Sequence, residues 1–316
     1  MKLLNFFQAL GDCVIESIND SRKMTSYGPL AQIAVVATTI FVVGSASMKR
    51  RPVLINGCLA LVVASAMLVY SFCMKKNILQ LPALFIDIVF EPNLARKCLL
   101  TFFFVNVLAS VIFATVVTMR GKSSTIHRKF FHLTVSLIYL SGLFLDKDFV
   151  WLAGWLSLCI FIIVEVLRYY NVPPWGETLN HSLLIFKDAQ DSNLLLTPIY
   201  LLLGVFLPLF LSPNDEKPMM YHLAGVAAVG VGDSLAAIVG SSLGRNKWPG
   251  RQKTIEGSLA MCLGMIAFFE ASIHFIDSEV LSFVYISFVS VVLTLLEAFV
   301  VNVDNVLLPL IGYILL

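Results

Sequence analysis

Apolar runs long enough to cross a bilayer recur from one end of the chain to the other, separated by short polar stretches. A membrane-spanning helix needs roughly 20 mostly apolar residues. The pattern predicts spans near 29–48, 52–74, 99–119, 130–146, 149–168, 194–211, 219–243, 258–276 and 280–301, and a shorter apolar run, 303–316, follows. The expected total is nine or ten spans. Segment 78–90 is apolar but short and bounded by prolines, which suits an interfacial or re-entrant piece. The expected fold class is all-α: a polytopic transmembrane helical bundle.

Composition agrees. The 316 residues are 58% hydrophobic and 13% charged, with a mean hydropathy of +0.86. Soluble domains have about 45–50% apolar and about 25% charged residues. A net charge of +2 and the lack of any long basic block argue against a nucleic-acid partner. Six cysteines are scattered mostly through apolar runs with no CxxC, the usage of small packed residues rather than of a zinc site. The first 17 residues lack the long apolar core of a cleaved signal, so the first span is expected to direct insertion.

Placing Lys49 and the two arginines after it in the cytosol puts the loops 120–129, 169–193 and 244–257 there too, with the larger share of Lys and Arg. Every loop with candidate chemistry then falls on one side. Of two glycosylation sequons, at Asn19 and Asn180, only Asn19 is expected to face the lumen.

The chemistry concentrates in three stretches. Residues 230–258 read GVGDSLAAIVGSSLGRNKWPGRQKTIEGS. Asp233 lies within an apolar span, where an acid costs on the order of 2.5–3.5 kcal/mol by insertion scales and so calls for a partner or a task. Gly230 and Gly232 let the backbone unwind just before it. Gly240 and Gly244 share a helical face, which suits close helix packing. Lys253, Thr254, Glu256, Gly257 and Ser258 then open the next helix, whose N–H groups and dipole favour an anion. A second stretch, HRKFFHL at 127–133, carries Arg128, Lys129 and His132 into a span. Such a group can clamp phosphate or move a proton; it can also serve only as a positive-inside anchor. The third, EAFVVNVDNVLLP at 297–309, runs from Glu297 through Asn302, Asp304 and Asn305. Its oxygen donors suit magnesium bound with substrate phosphates, although Asn and Asp are also ordinary turn formers. Glu165 with Arg168, and Glu270 with His274, look like local structural pairs. No Walker, protein-kinase, HExxH or GxSxG signature is present.

In these residues the chain resembles the polyprenol kinase family, most closely its dolichol-phosphorylating members. HRKFFHL, GVGDSLAAIVGSSLG, WPGRQKTIEGS and LEAFVVNVDNVLLP occur in the family's order, over roughly residues 120–316. Members are commonly longer at the front, so residues 1–100 are expected to carry little of the match. The resemblance implies phosphoryl transfer from CTP to the hydroxyl of dolichol, with a divalent cation such as magnesium, at the cytosolic face of the endoplasmic reticulum membrane. It assigns Gly232, Asp233, Ser234, Gly240, Gly244, Lys253, Thr254, Glu256, Gly257, Arg128 and Lys129 to CTP binding. Asp233, Asp304 and Asn305 would hold the metal, and Asp233, Asp304, His132 and Lys253 would carry catalysis, with the proton acceptor left open between a carboxylate and His132. Residues 1–98 would form an N-terminal membrane region and 99–316 a membrane-embedded catalytic core. The competing expectations are a CDP-diacylglycerol synthase-like cytidylyltransferase, a kinase of shorter prenyl alcohols such as phytol or farnesol, and a transporter built on broken helices.

Overall fold

A computed structural model describes residues 27–49, 51–121, 124–183, 187, 191, 193–215, 217–276, 281–300 and 304–316. The sequon at Asn19, and Asn302, lie outside them. The described residues are mostly helical, and an isolated bridge between Lys247 and Thr254 is the only β pairing among them. The α-helices are α1 (Tyr27–Ser47), α2 (Pro52–Met74), α3 (Leu81–Val89), α4 (Leu94–Arg120), α5 (Thr125–Leu145), α6 (Lys147–Tyr169), α7 (Trp175–Leu183), α8 (Thr197–Leu211), α9 (Ser234–Ser242), α10 (Ile255–Ile273), α11 (Phe283–Phe299) and α12 (Asp304–Leu315).

Among the described residues, six helical stretches are long and apolar enough to cross a membrane by length and composition: α1, α2, α4, α6, Met220–Ser242 and α10. The count of nine or ten is not reached by that measure. Helices α8, α11 and α12 have 15, 17 and 12 residues, shorter than a full crossing needs. Segment 78–90 forms a short 3₁₀ turn, Ile78–Gln80, leading into α3.

The chain divides into two compact units, residues 1–102 with 145–199 and residues 103–144 with 200–316. In the first, α1 packs on α2 and α6. Arg96 is 1% exposed, yet its guanidinium meets Asp146 Oδ2 at 2.6–2.7 Å, the Ile88 carbonyl at 2.5 Å, Tyr27 Oη at 3.1 Å and Glu91 Oε2 at 3.2 Å, and it lies over the Phe149 ring. Asp146 also caps α6 through the Phe149 N–H. The expected Glu165–Arg168 pair forms, with two bonds of 2.6 and 2.7 Å. Around it, Arg168 donates to Asn180 Oδ1 and the Asn193 carbonyl, while Glu165 accepts the Leu195 N–H. The Asn180 amide is thus engaged inside this network.

In the second unit, the segment before α9 is a 3₁₀ turn, Met220–Leu223, followed by a π-helix, Val226–Asp233. Unwinding expected at the glycines takes this form. A Cβ on Gly230 would stand 2.2 Å from Ser136 Oγ of α5, so only glycine allows that approach. Where α9 meets α10, a Cβ on Gly257 would stand 2.8 Å from the Ala236 carbonyl and 3.2 Å from Gly240 Cα. The close-packing expectation for Gly240 holds. The second local pair, Glu270 with His274, does not form as expected: Glu270 Oε1 is buried without a hydrogen-bond partner among the described residues.

Candidate functional site

A pocket of about 330 Å³ opens in the second unit, lined by Lys129, Asp233, Gly240, Lys253, Thr254 and Glu297 among others. Each wall follows from a local feature of the sequence. Lys129 stands in the first turn and a half of α5. Ser124 stands just before that helix: its hydroxyl accepts the His127 N–H while His127 Nδ1 accepts the Ser124 N–H. This is capping-box geometry with histidine in the Glu/Gln position. Phe113 stacks on Phe130 at 4.2 Å and fixes the rotation of the helix. Lys129 Nζ is thereby set against Asp233 Oδ2, forming a charge-assisted hydrogen bond.

His132, one turn on from Arg128 and 4% exposed, places Nδ1 3.2 Å from the same Asp233 oxygen and 3.4 Å from the Val229 carbonyl. It stands behind Asp233 and is not part of the pocket lining. The π-helix ends on Asp233, so the distortion that Gly230 and Gly232 permit fixes where this carboxylate points.

The opposite wall comes from a small hairpin, 245–254. Trp248 N–H donates to the Lys253 carbonyl, Ile255 N–H to the Asn246 carbonyl, and Gly250 turns the chain at φ +69°. Glu256 binds both the backbone N–H and the side-chain amide of Asn246, at 3.1 and 2.8 Å. Thr254 caps α10 by accepting the Gly257 N–H. Trp248 Nε1 donates to Ser258 Oγ at 3.0 Å, and its ring lies 5.6 Å from that of Phe299. The hairpin is therefore tied to both α10 and α11, and it delivers Lys253 to the pocket.

Lys253 Nζ lies 2.6 Å from Glu297 Oε1, 2.7 Å from the Glu297 carbonyl and 3.4 Å from Asp304 Oδ2. Asp304 opens α12, and its Oδ1 accepts the Asn305 N–H. The three stretches singled out from the sequence thus meet: Asp233, Lys129, Lys253, Gly240, Thr254 and Gly257 line the pocket, and Asp304 reaches it through Lys253. Gly232, Ser234, Gly244, Glu256, Arg128, His132 and Asn305 do not line it. Glu256 secures the hairpin from outside, and Gly244 stands against Thr254. Sequence reasoning noticed Glu297 and Ser258 but did not count either as a site residue, and it gave no role to Trp248 or Asn246. An acid near the end of an apolar run, seven residues before an Asp-Asn pair, was the available signal for Glu297.

The charges define what the pocket can take. Two ammonium groups and the carboxylates of Asp233 and Glu297 line it, and a third carboxylate, Asp304, reaches it through Lys253. Polyphosphate alone would meet like charge from the acids, so the donor set suits polyphosphate accompanied by a divalent cation. No cluster of three or more His, Cys, Asp or Glu fit to hold a metal by itself is found among the described residues.

The family model described as Dolichol kinase matches residues 30–200. The match thus reaches further forward than the motifs implied, into a region expected to carry little of it. The chain is 38% identical over 208 residues to a dolichol kinase of Mus musculus, covering 62% of this chain and 39% of that protein. It is 31% identical over 232 residues to a dolichol kinase of Saccharomyces cerevisiae, covering 70% and 42%. It is 32% identical over 235 residues to dolichol kinase EVAN of Arabidopsis thaliana, covering 72% and 41%. The chain spans about two fifths of the length of these relatives. No solved structure matches it. With more than half its length matched by the family model, this chain, a helical multi-pass membrane protein, belongs to the dolichol kinase family.

Proposed function

We propose that the chain phosphorylates dolichol, using CTP as donor, at the cytosolic face of the endoplasmic reticulum membrane. The observation that carries the reading is the meeting of Lys129–Asp233 with Lys253–Glu297–Asp304 at one pocket, from four segments far apart in the chain. Phosphoryl transfer asks a protein mainly for alignment and charge neutralisation, with little covalent chemistry of its own. This pocket supplies both.

In the proposed mechanism, Lys129 and Lys253 bind phosphate oxygens as point charges, and the N-terminus of α10, which begins beside Thr254 and Gly257 in the pocket wall, adds its positive dipole end. Asp233 and Asp304 would hold magnesium together with the phosphates, which supplies charge neutralisation on the transferring group. His132 keeps Asp233 oriented from behind. The bond between the γ-phosphorus and its bridging oxygen breaks as the lipid oxygen bonds to phosphorus. CDP leaves, and the alcohol proton passes to a carboxylate of the site or to His132. A lipid alcohol with its tail in the bilayer can bring its head group to an acid at the end of an apolar segment, while CTP arrives from water.

Purified protein given CTP labelled at the γ-phosphate and dolichol tests this directly. Label on the lipid is the expected result. Labelled pyrophosphate with CMP left on the lipid would make the chain a cytidylyltransferase, and no transfer in detergent would favour transport. A panel of prenyl alcohols of different length reads the acceptor preference.

A further inference from the structure

We propose that Glu297 is a positioning residue that moors the Lys253 ammonium to the pocket wall, leaving Asp304 as the carboxylate that gives up its place at that ammonium to a phosphate oxygen. The inference rests on reading the pocket as a nucleotide phosphate site, and it divides the labour between two acids that the sequence presents as one cluster.

An ammonium has three N–H donors, and Lys253 Nζ faces three oxygens. Two belong to Glu297, its Oε1 at 2.6 Å and its main-chain carbonyl at 2.7 Å. The third, Asp304 Oδ2, is at 3.4 Å, beyond the 2.7–3.2 Å usual for such bonds. With all three directions taken, an arriving phosphate oxygen must replace one of them. The long contact is the one most readily replaced, and its loss leaves the Glu297 contacts intact.

Burial points the same way. The Glu297 side chain is 6% exposed, against 18% for Asp304 and 31% for Lys253. A carboxylate so enclosed cannot exchange its cation for water without a large desolvation cost, so its pairing with Lys253 persists. The Glu297 carbonyl belongs to the last turn of α11, where carbonyls lack helical partners and the dipole end is negative. Lys253 therefore also caps α11. Side chain and main chain of one residue fix the ammonium from two directions, which leaves its position set before any ligand enters. Asp304, more exposed and at the first turn of α12, has room to turn toward a cation.

The test compares Glu297→Gln, Asp304→Asn, Lys253→Met and the double variant Lys253→Met/Glu297→Gln. The readings are the KM for CTP, kcat, the magnesium concentration for half-maximal rate, and the thermal midpoint in detergent. For Glu297→Gln the expected result is a rise of about tenfold in the KM for CTP, the scale of a lost hydrogen bond to a charged group, with kcat within about twofold and the magnesium requirement unchanged. Asp304→Asn should raise the magnesium requirement. Lys253→Met should lose activity and lower the midpoint, because it leaves Glu297 buried and unpaired. Adding Glu297→Gln to it should restore the midpoint and cost no further activity, the signature of a residue acting through another. A wild-type KM in Glu297→Gln, a further activity loss in the double variant, or a magnesium shift like that of Asp304→Asn would each overturn the proposal. Should Lys253→Met not survive purification, the single variants Glu297→Gln and Asp304→Asn still decide it through KM and magnesium dependence. Full activity in Lys253→Met is a different failure: it would remove the phosphate-site reading itself.

Discussion

Both units of the chain bury charge among apolar helices, and they do it differently. In the first, Arg96 and the Glu165–Arg168 pair are 1–7% exposed, and their hydrogen-bonding groups are spent on neighbours: carboxylates, main-chain carbonyls, an amide, an N–H. In the second, Lys253, Asp233 and Asp304 keep side-chain exposures of 31, 19 and 18%; the first two line a pocket, and Asp304 contacts Lys253 there. A buried ion pair is weak evidence of stability or of function by itself. What separates the two cases is whether a ligand could enter the network. The first is closed on itself, whereas the second holds its charges where a further anion and cation can be inserted.

The comparison breaks most sharply at Asp233. Asp233→Asn keeps shape and hydrogen-bonding capacity but removes the charge that faces Lys129 and His132. Turnover of CTP and dolichol should fall by on the order of 10²–10³ or more, the scale seen when a single preorganised electrostatic partner is lost. Expression and membrane insertion should stay near wild type. An active Asp233→Asn enzyme would place Asp233 with Arg96, among the structural charges.

The converse substitution is Arg168→Ala. It leaves Glu165 buried without its cation, and breaking such a pair costs about 3–5 kcal/mol. Most of the effect should appear as lost folded protein and a lower unfolding midpoint, with activity per folded molecule close to wild type. A well-folded but inactive Arg168→Ala protein would mean that the first unit also takes part in the chemistry.

These contrasts mark what could be read from residues alone. The helical membrane class follows from hydropathy, since each apolar run dictates a helix whatever its neighbours do. Asp233, Lys129, Lys253 and Asp304 were legible because a charge in or beside an apolar run is costly and so conspicuous. The span count was less legible: α8 and α11 have the composition of spans, but where a helix breaks depends on capping and tertiary contact. Glu297 and Glu270 show the limit most clearly. Both are acids late in apolar runs, yet one meets a lysine from a hairpin 44 residues earlier and the other leaves an oxygen without a partner among the described residues. Only the packing decides between them. Trp248 was visible only as the first residue of a motif that resembles the family; its ties to Ser258 and Phe299 could not be read, as a tryptophan in a basic loop suits an interfacial anchor equally well.

A milder change probes how the hairpin holds Lys253. Glu256→Gln keeps one acceptor for Asn246 and removes a negative charge from outside the pocket. If Glu256 serves only to secure the hairpin, the KM for CTP should rise by about two- to fivefold, the range of a weakened hydrogen bond, with kcat unchanged. A collapse of kcat would put Glu256 in contact with the reacting groups after all.

The smallest effect is expected at Trp248, and it separates the two ties that the indole makes. Trp248→Phe removes the Nε1–H that bonds Ser258 Oγ while keeping a ring to lie against Phe299. The lost bond is neutral and partly exposed, so the cost should be about 1 kcal/mol or less. Spread through the hairpin, it should appear as no more than about a twofold rise in the KM for CTP. Trp248→Ala removes the ring as well, takes away the aromatic tie between the hairpin and α11 and should give the larger rise, because Lys253 then loses the packing that helps aim it at Glu297. Equal effects from the two substitutions would show that the hydrogen bond to Ser258, and not the aromatic contact, sets the position of Lys253. The mooring at Glu297 would then depend on α10 alone.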